Sequence, residues 1–168
     1  MPRALRRTFL AVICLAGLAG CQNHVGDVDM TGSLLEGDSH NLSPAQSLKA
    51  SRDALEDLEL GKRHYRERNF GLAEQHYRRA AERAPQEVEA WVGLAAAYDQ
   101  LGRFDLADRA YEQAIILVGP TAEILNNQGY SLMLRGDYEG AREKLERAKA
   151  LDPENRYINA NLELLEEQ

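Results

Sequence analysis

Apolar residues along this chain recur at i, i+3, i+4 and i+7, the period of one face of an α-helix. The clearest run is Trp91, Leu94, Ala95, Tyr98 and Leu101, and after Gly102 a second stripe holds Ala107, Ala110, Tyr111, Ala114 and Val118. Each stripe predicts an amphipathic helix. Gly102 between them predicts the left-handed residue that ends the first without a Cβ penalty. The two stripes together read as a helical hairpin.

The same frame stands 34 residues earlier as Leu60, Gly61, His64, Phe70, Ala73, Tyr77 and Ala80, with Pro85 closing it. It stands again 34 residues later as Leu125, Gly129, Leu132, Tyr138, Ala141, Leu145 and Ala148, closed by Pro153. Gly136 takes the place of Gly102 in the third copy. The first copy has Arg68-Asn69 there, and Asn69 is expected to adopt the left-handed conformation. Alanines at the same two places in every copy mark sites where paired helices approach too closely for a large side chain. A lone hairpin of this kind leaves apolar surface in water, and stacking three of them covers it.

A 34-residue helix-turn-helix with these small and aromatic positions resembles the tetratricopeptide repeat. The resemblance implies an all-α solenoid with repeats at 54–87, 88–121 and 122–155. Three positions depart from the family pattern: Asp57 for the large residue of the first helix, Gln128 for the leucine before Gly129, and Gly119-Pro120, which shifts the closing proline by one.

Order is expected to begin at Ser43-Pro44-Ala45-Gln46, a capping box with proline at the first helical position. The leading helix 43–53 either runs into the first repeat or breaks before Ala54; both remain open at this stage. Asp152-Pro153 precedes a last helix, the capping helix 156–168, with Ile158, Leu162 and Leu165 on one face and glutamates elsewhere. A polar outer side is what a solenoid end requires.

Composition refines this picture. The chain carries 20 Lys+Arg against 27 Asp+Glu, a formal −7. That balance argues against nucleic acid as a partner. Residues 1–20 read as a signal peptide, with Arg3, Arg6 and Arg7 before the uncharged run Thr8 to Gly20. At this length the run is too short to span a bilayer. Leu18-Ala19-Gly20-Cys21 resembles the bacterial lipobox, which implies cleavage before Cys21 and lipidation of that residue. An ordinary secretory signal with an incidental cysteine is the other reading. Gln22, where Asp would resemble an inner-membrane retention signal, points to the outer membrane and its periplasmic face. Residues 21–42 lack periodicity and read as a lipid-anchored flexible tether. Loss of the three arginines takes the formal charge to −10, and loss of Cys14 leaves no disulfide framework.

Candidate chemistry is sparse. His24 and His40 fall in the tether, His64 takes the aromatic packing position, and His76 is expected to face solvent. No HExxH, zinc-spaced cysteines, phosphate loop or GxSxG occurs. The chain is therefore expected to be non-enzymatic, without cofactor, metal or small-molecule substrate. Function is expected on the concave face. The repeat resemblance puts Leu55, Leu58, Glu59, Lys62, Tyr65 and Arg66 there, then Glu89, Val92, Gly93, Ala96, Asp99 and Gln100, then Glu123, Asn126, Asn127, Tyr130, Met133 and Leu134. Lys62, Arg63, Arg66 and Arg68 form a basic cluster, readable as a solvated face or as a contact for an acidic segment. Asn127 and Asn161 share one frame position. They read either as surface amides or as a ladder for the backbone of an extended partner protein, with Tyr130 and Met133 taking an apolar side chain.

The stretch from Asn126 to Tyr138, with its Asn-Asn pair before Gly129-Tyr130-Ser131, resembles the TadD family. These are repeat-containing lipoproteins of the tight-adherence (Flp) pilus assembly system. The resemblance implies an adaptor that helps assemble or localise a pilus secretin and its partners. A type IV pilotin, a regulator of a peptidoglycan enzyme and a generic periplasmic scaffold are the other readings.

Overall fold

The computed structural model describes residues 43–168, seven helices and no strand. The expected signal peptide, Cys21, the tether, His24 and His40 lie outside the described residues. The helices are α1 (Pro44–Arg66), α2 (Phe70–Arg83), α3 (Val88–Gln100), α4 (Phe104–Val118), α5 (Ala122–Leu134), α6 (Tyr138–Leu151) and α7 (Arg156–Glu166). Among them no helix is long and apolar enough to cross a membrane. Consecutive helices pack as hairpins α1/α2, α3/α4 and α5/α6, with α7 against the last. The odd helices also touch one another in series, so they form one wall of the stack.

The close approach expected at the alanines is present: Ala73, Ala80, Ala107, Ala114, Ala141 and Ala148 each have 0% exposure. Tyr77 works as a peg between two glycines of successive hairpins. A Cβ at Gly61 would come within 2.7 Å of its ring, and one at Gly93 within 2.4 Å. Gly93 is thus a seat for Tyr77 and offers no groove side chain. Leu58 and Val92, also expected on the groove, are buried in the core of the first two hairpins. On the far side, Ile158 and Leu165 of α7 bury against Ala148 and Leu145, and Leu162 packs beside them.

Helix ends follow their sequence signals with one correction. Ser43 and Gln46 close the capping box, with Gln46 accepting from Ser43 N–H at 2.8 Å. No break follows before Ala54: α1 is a single helix of 23 residues, so the leading segment is part of the first hairpin. Gly102 and Gly136 take positive φ, as expected. In the first turn it is Arg68, at φ 61°, that does so; Asn69 has φ −84° and starts α2. The period explains this, since Arg68 stands 34 residues before Gly102. Geometry set by the hairpin overrides the preference of its neighbour. The shifted Gly119-Pro120 lets α4 run to Val118, where Gly119 ends it at φ 77°.

The stack allows a direct test. Ala107→Trp should overpack the α3/α4 crossing and cost about 1–3 kcal/mol. Ala96→Ser, on a half-exposed position of α3, should leave the thermal unfolding midpoint near wild type. Equal midpoints for both variants would contradict this packing.

Candidate functional site

Three of the candidate amides form one row. Asn161 Nδ2 donates to Asn126 Oδ1 at 2.8 Å, and Asn126 Nδ2 donates to Asn127 Oδ1 at 3.3 Å. Asn126, only 9% exposed, is the link that joins α7 to α5, while Asn127 and Asn161 are partly open. The row lines a cleft of about 580 Å³ between these helices, together with Glu123, Tyr130, Tyr157 and Ile158. Asn155 also borders it and caps α7, accepting from Tyr157 N–H at 3.1 Å. Asn127 and Tyr130 continue into a small cleft of about 50 Å³ with Tyr65, Ala96 and Gln100. Tyr65, Asn126, Asn127, Tyr130 and Asn161 are therefore neighbours along one face. Tyr65 is held by burial above the ordinary phenol pKa.

The other candidates lie elsewhere or are engaged. Lys62 sits between Glu89 at 2.7 Å and Glu59 at 2.9 Å. Burial works against its charge, but the bonds to Glu89 and Glu59 outweigh that and raise its pKa. Arg66 is exposed on the last turn of α1, and Arg63 and Arg68 are likewise exposed. Met133 packs against the cluster of Ala141, Leu145 and Leu165 and does not line the amide cleft. Asp99, expected on the groove, is 4% exposed. It accepts from Tyr111 Oη at 2.9 Å and from Ser131 Oγ at 2.5 Å. Burial raises its pKa, against the effect of those two bonds. Arg135 extends this network, donating to Ser131 Oγ and to both carboxylate oxygens of Asp108. These polar links join α3, α4 and α5 where the apolar clusters of the stack separate.

Sequence reasoning did not find Tyr157 or the linking role of Asn126. Carrying the repeat frame one helix further, past Asn161 alone, marks Tyr157 and Ala160 as well. The Asn126 link depends on a partner 35 residues away and has no local signal.

A second polar cluster corrects the expectation for His76. Its Nδ1 lies 2.8 Å from Asp57 Oδ1, and its ring stacks on His64 with centroids 5.3 Å apart. Asp57 is 6% exposed and also holds Arg79 and Arg83. The aspartate that replaces the large residue of the first helix has recruited two guanidinium groups and an imidazole from α2. Their charge already answers that of Asp57, so His76 gains little negative field. Burial, then Arg79 and Arg63, push its pKa below the ordinary value.

Taken together, three stacked helical hairpins with a cap and an amide-lined cleft on the wall of odd-numbered helices define a helical-repeat protein of the kind that contacts other chains. A profile of the tetratricopeptide repeat matches residues 58–107 and 97–156, and the chain belongs to that family. Repeats of this family are protein-interaction modules. No match is found among curated protein sequences. Among solved structures, the chain is similar to the first such domain of Spaghetti (RPAP3) bound to the HSP90 peptide SRMEEVD. That match has a TM-score of 0.61 at 21% identity, over 70% of this chain and 93% of that one. It is similar to the TPR2B domain in the pHsp70 complex of yeast Sti1, with a TM-score of 0.62 at 22% identity over 70% and 99% of the two chains. It is also similar to pilF of Pseudomonas aeruginosa, with a TM-score of 0.60 at 28% identity. The match to pilF covers 70% of this chain and 54% of the other.

The His76 cluster generates a pH test. The unfolded imidazole takes its proton near pH 6.5, while the folded one resists it, so stability falls as pH drops below that value. Chemical denaturation between about pH 7.5 and 5.5 should show this decline, and His76→Gln should flatten it. Parallel slopes for the two proteins would exclude His76 as the cause.

Proposed function

We propose that this protein is a lipid-anchored adaptor that holds an extended segment of a partner protein on its concave face. In this reading it faces the periplasm from the outer membrane and assists assembly or localisation of the tight-adherence (Flp) pilus machinery. The open-ended amide row carries the binding part of the proposal. Among the described residues Asn127 Nδ2 has no acceptor and Asn161 Oδ1 has no donor. A row with a donor at one end and an acceptor at the other matches a strand-like backbone, which presents C=O and N–H groups along its length. Tyr130 and the exposed Tyr157 beside it offer ring surface to a side chain. The Spaghetti and Sti1 complexes support the analogy, since each holds a peptide or partner on the same kind of fold.

The cellular setting rests on sequence. Leu18-Ala19-Gly20-Cys21 supports the anchor, and the segment from Asn126 to Tyr138 supports the pilus system. The likeness to pilF of Pseudomonas aeruginosa is in keeping with that setting. Neighbouring genes for a pilus ATPase and secretin would favour this reading over regulation of a peptidoglycan enzyme.

Two experiments test it. Palmitate labelling of the protein in its native host should succeed and be lost in Cys21→Ala; an unlabelled, soluble wild type would remove the anchor. A pull-down from detergent-solubilised envelope, followed by titration of the captured partner, tests the face. Asn127→Ala should weaken binding by about 0.5–1.5 kcal/mol, the net worth of a hydrogen bond, with little change in thermal stability. Unchanged affinity, with binding lost on charge reversal of Arg142 and Lys144 in α6, would move the site to the convex side.

A further inference from the structure

The face formed by the odd-numbered helices holds a second cleft whose lining is acidic where the first is lined by amides. It measures about 330 Å³ and lies where α3 and α5 begin, lined by Glu87, Glu89 and Glu123 with Val88, Val92 and Val118. Glu123 belongs to both clefts, so the acidic end and the amide row are continuous. Glu89 is matched by Lys62. Glu87 and Glu123 have no ion-pair partner among the described residues. Arg156, beside Tyr157 of the amide cleft, is engaged elsewhere. Its guanidinium lies 4.7 Å over the Tyr157 ring and donates to Tyr157 Oη at 2.6 Å, while Glu123 stays free.

Glu89 and Glu123 each stand in the first turn of a helix, so both carboxylates gather at the same end of the stack. Three carboxylates against one engaged ammonium leave the cleft negative. An acidic segment entering there would meet like charge, and its attraction to Lys62 would have to displace Glu59 and Glu89.

We propose that the segment bound on this face carries a lysine or arginine directed to Glu123 and Glu87, with its backbone on the amide row. This rests on the reading of the concave face as a peptide site, and it reverses the polarity expected from Lys62 and Arg66. The amides act on the backbone of any extended chain. The carboxylates act on its side chains, so selectivity comes from Glu123 and Glu87 through charge complementarity.

Fluorescence anisotropy on the full chain in mild detergent separates the two claims. The probes are three pools of labelled, end-blocked decapeptides, each with a central leucine or valine and two arginines, two glutamates or two glutamines. The arginine pool should bind about three- to tenfold tighter than the glutamate pool at low salt, the range of an exposed charge pair counted for and against. Glu123→Gln should narrow that preference and Glu123→Lys should reverse it, with Asn161→Ala weakening all pools alike. Equal or tighter binding of the glutamate pool, or a preference that neither Glu123 variant alters, would overturn the basic-segment proposal. If Asn161→Ala still weakened every pool in that case, backbone capture would stand. Failure of all three pools to bind folded wild-type protein at millimolar concentration would overturn the peptide site itself, and this proposal with it.

Discussion

Close contact between paired helices is the constraint on which the rest of the structure depends. Ala73, Ala107 and Ala141 recur at one crossing of each hairpin and Ala80, Ala114 and Ala148 at the other, all without exposed surface. Because no side chain beyond a methyl separates the backbones there, the hairpin angle repeats from unit to unit. A repeated angle brings the odd helices side by side, and Tyr77 seated between Gly61 and Gly93 locks the first step of that series. The amide row is a consequence. Asn126 and Asn161 can bond at 2.8 Å only because α5 and α7 occupy equivalent places in consecutive units.

Polar groups take over where the apolar pattern lapses. Burying a carboxylate is costly unless it is paired and hydrogen-bonded. Asp57 meets that demand with Arg79, Arg83 and His76, and Asp99 meets it with Tyr111 and Ser131. Neither arrangement adds as much stability as a well-packed large apolar residue would. Each is directional, however, and fixes how one helix sits on the next. The Asp99 network lies at the step from the second hairpin to the third, where the buried apolar residues divide into separate clusters. At that step hydrogen-bond geometry sets the register that side-chain packing sets elsewhere.

This division explains what could be read from the sequence. The hairpins, the alanine crossings, Gly102 and Gly136, the capping box and the apolar face of α7 all follow from local period and local turn chemistry. The placement of the left-handed residue at Arg68 was legible in the period but hidden by the preference of Asn69, and repeat geometry prevailed. The partners of Asp57 and Asp99 lie 12 to 32 residues away in the chain. No local rule reports such pairs. The candidate site divides the same way: Tyr65, Asn127, Tyr130 and Asn161 follow from the frame, whereas Met133 turns into the core because α7 and α6 close over it. Lys62 is an exposed cation by sequence alone, and only the fold brings Glu89 against it.

On the proposed reading, the face formed by the odd-numbered helices separates two tasks that a charged groove would merge. In the proposed peptide site, neutral amides would hold backbone groups with little regard to sequence and with little dependence on salt, because they carry no net charge. Carboxylates at one end would discriminate among side chains, with an influence that fades within about 10 Å at 0.1 M salt. A chain whose amides hold and whose acids select can keep a partner in place while ionic conditions change the preference. Such a division also accounts for the engaged state of Lys62: held by Glu59 and Glu89, it does not oppose the negative end of the face, and the polarity of the groove is left to Glu87 and Glu123.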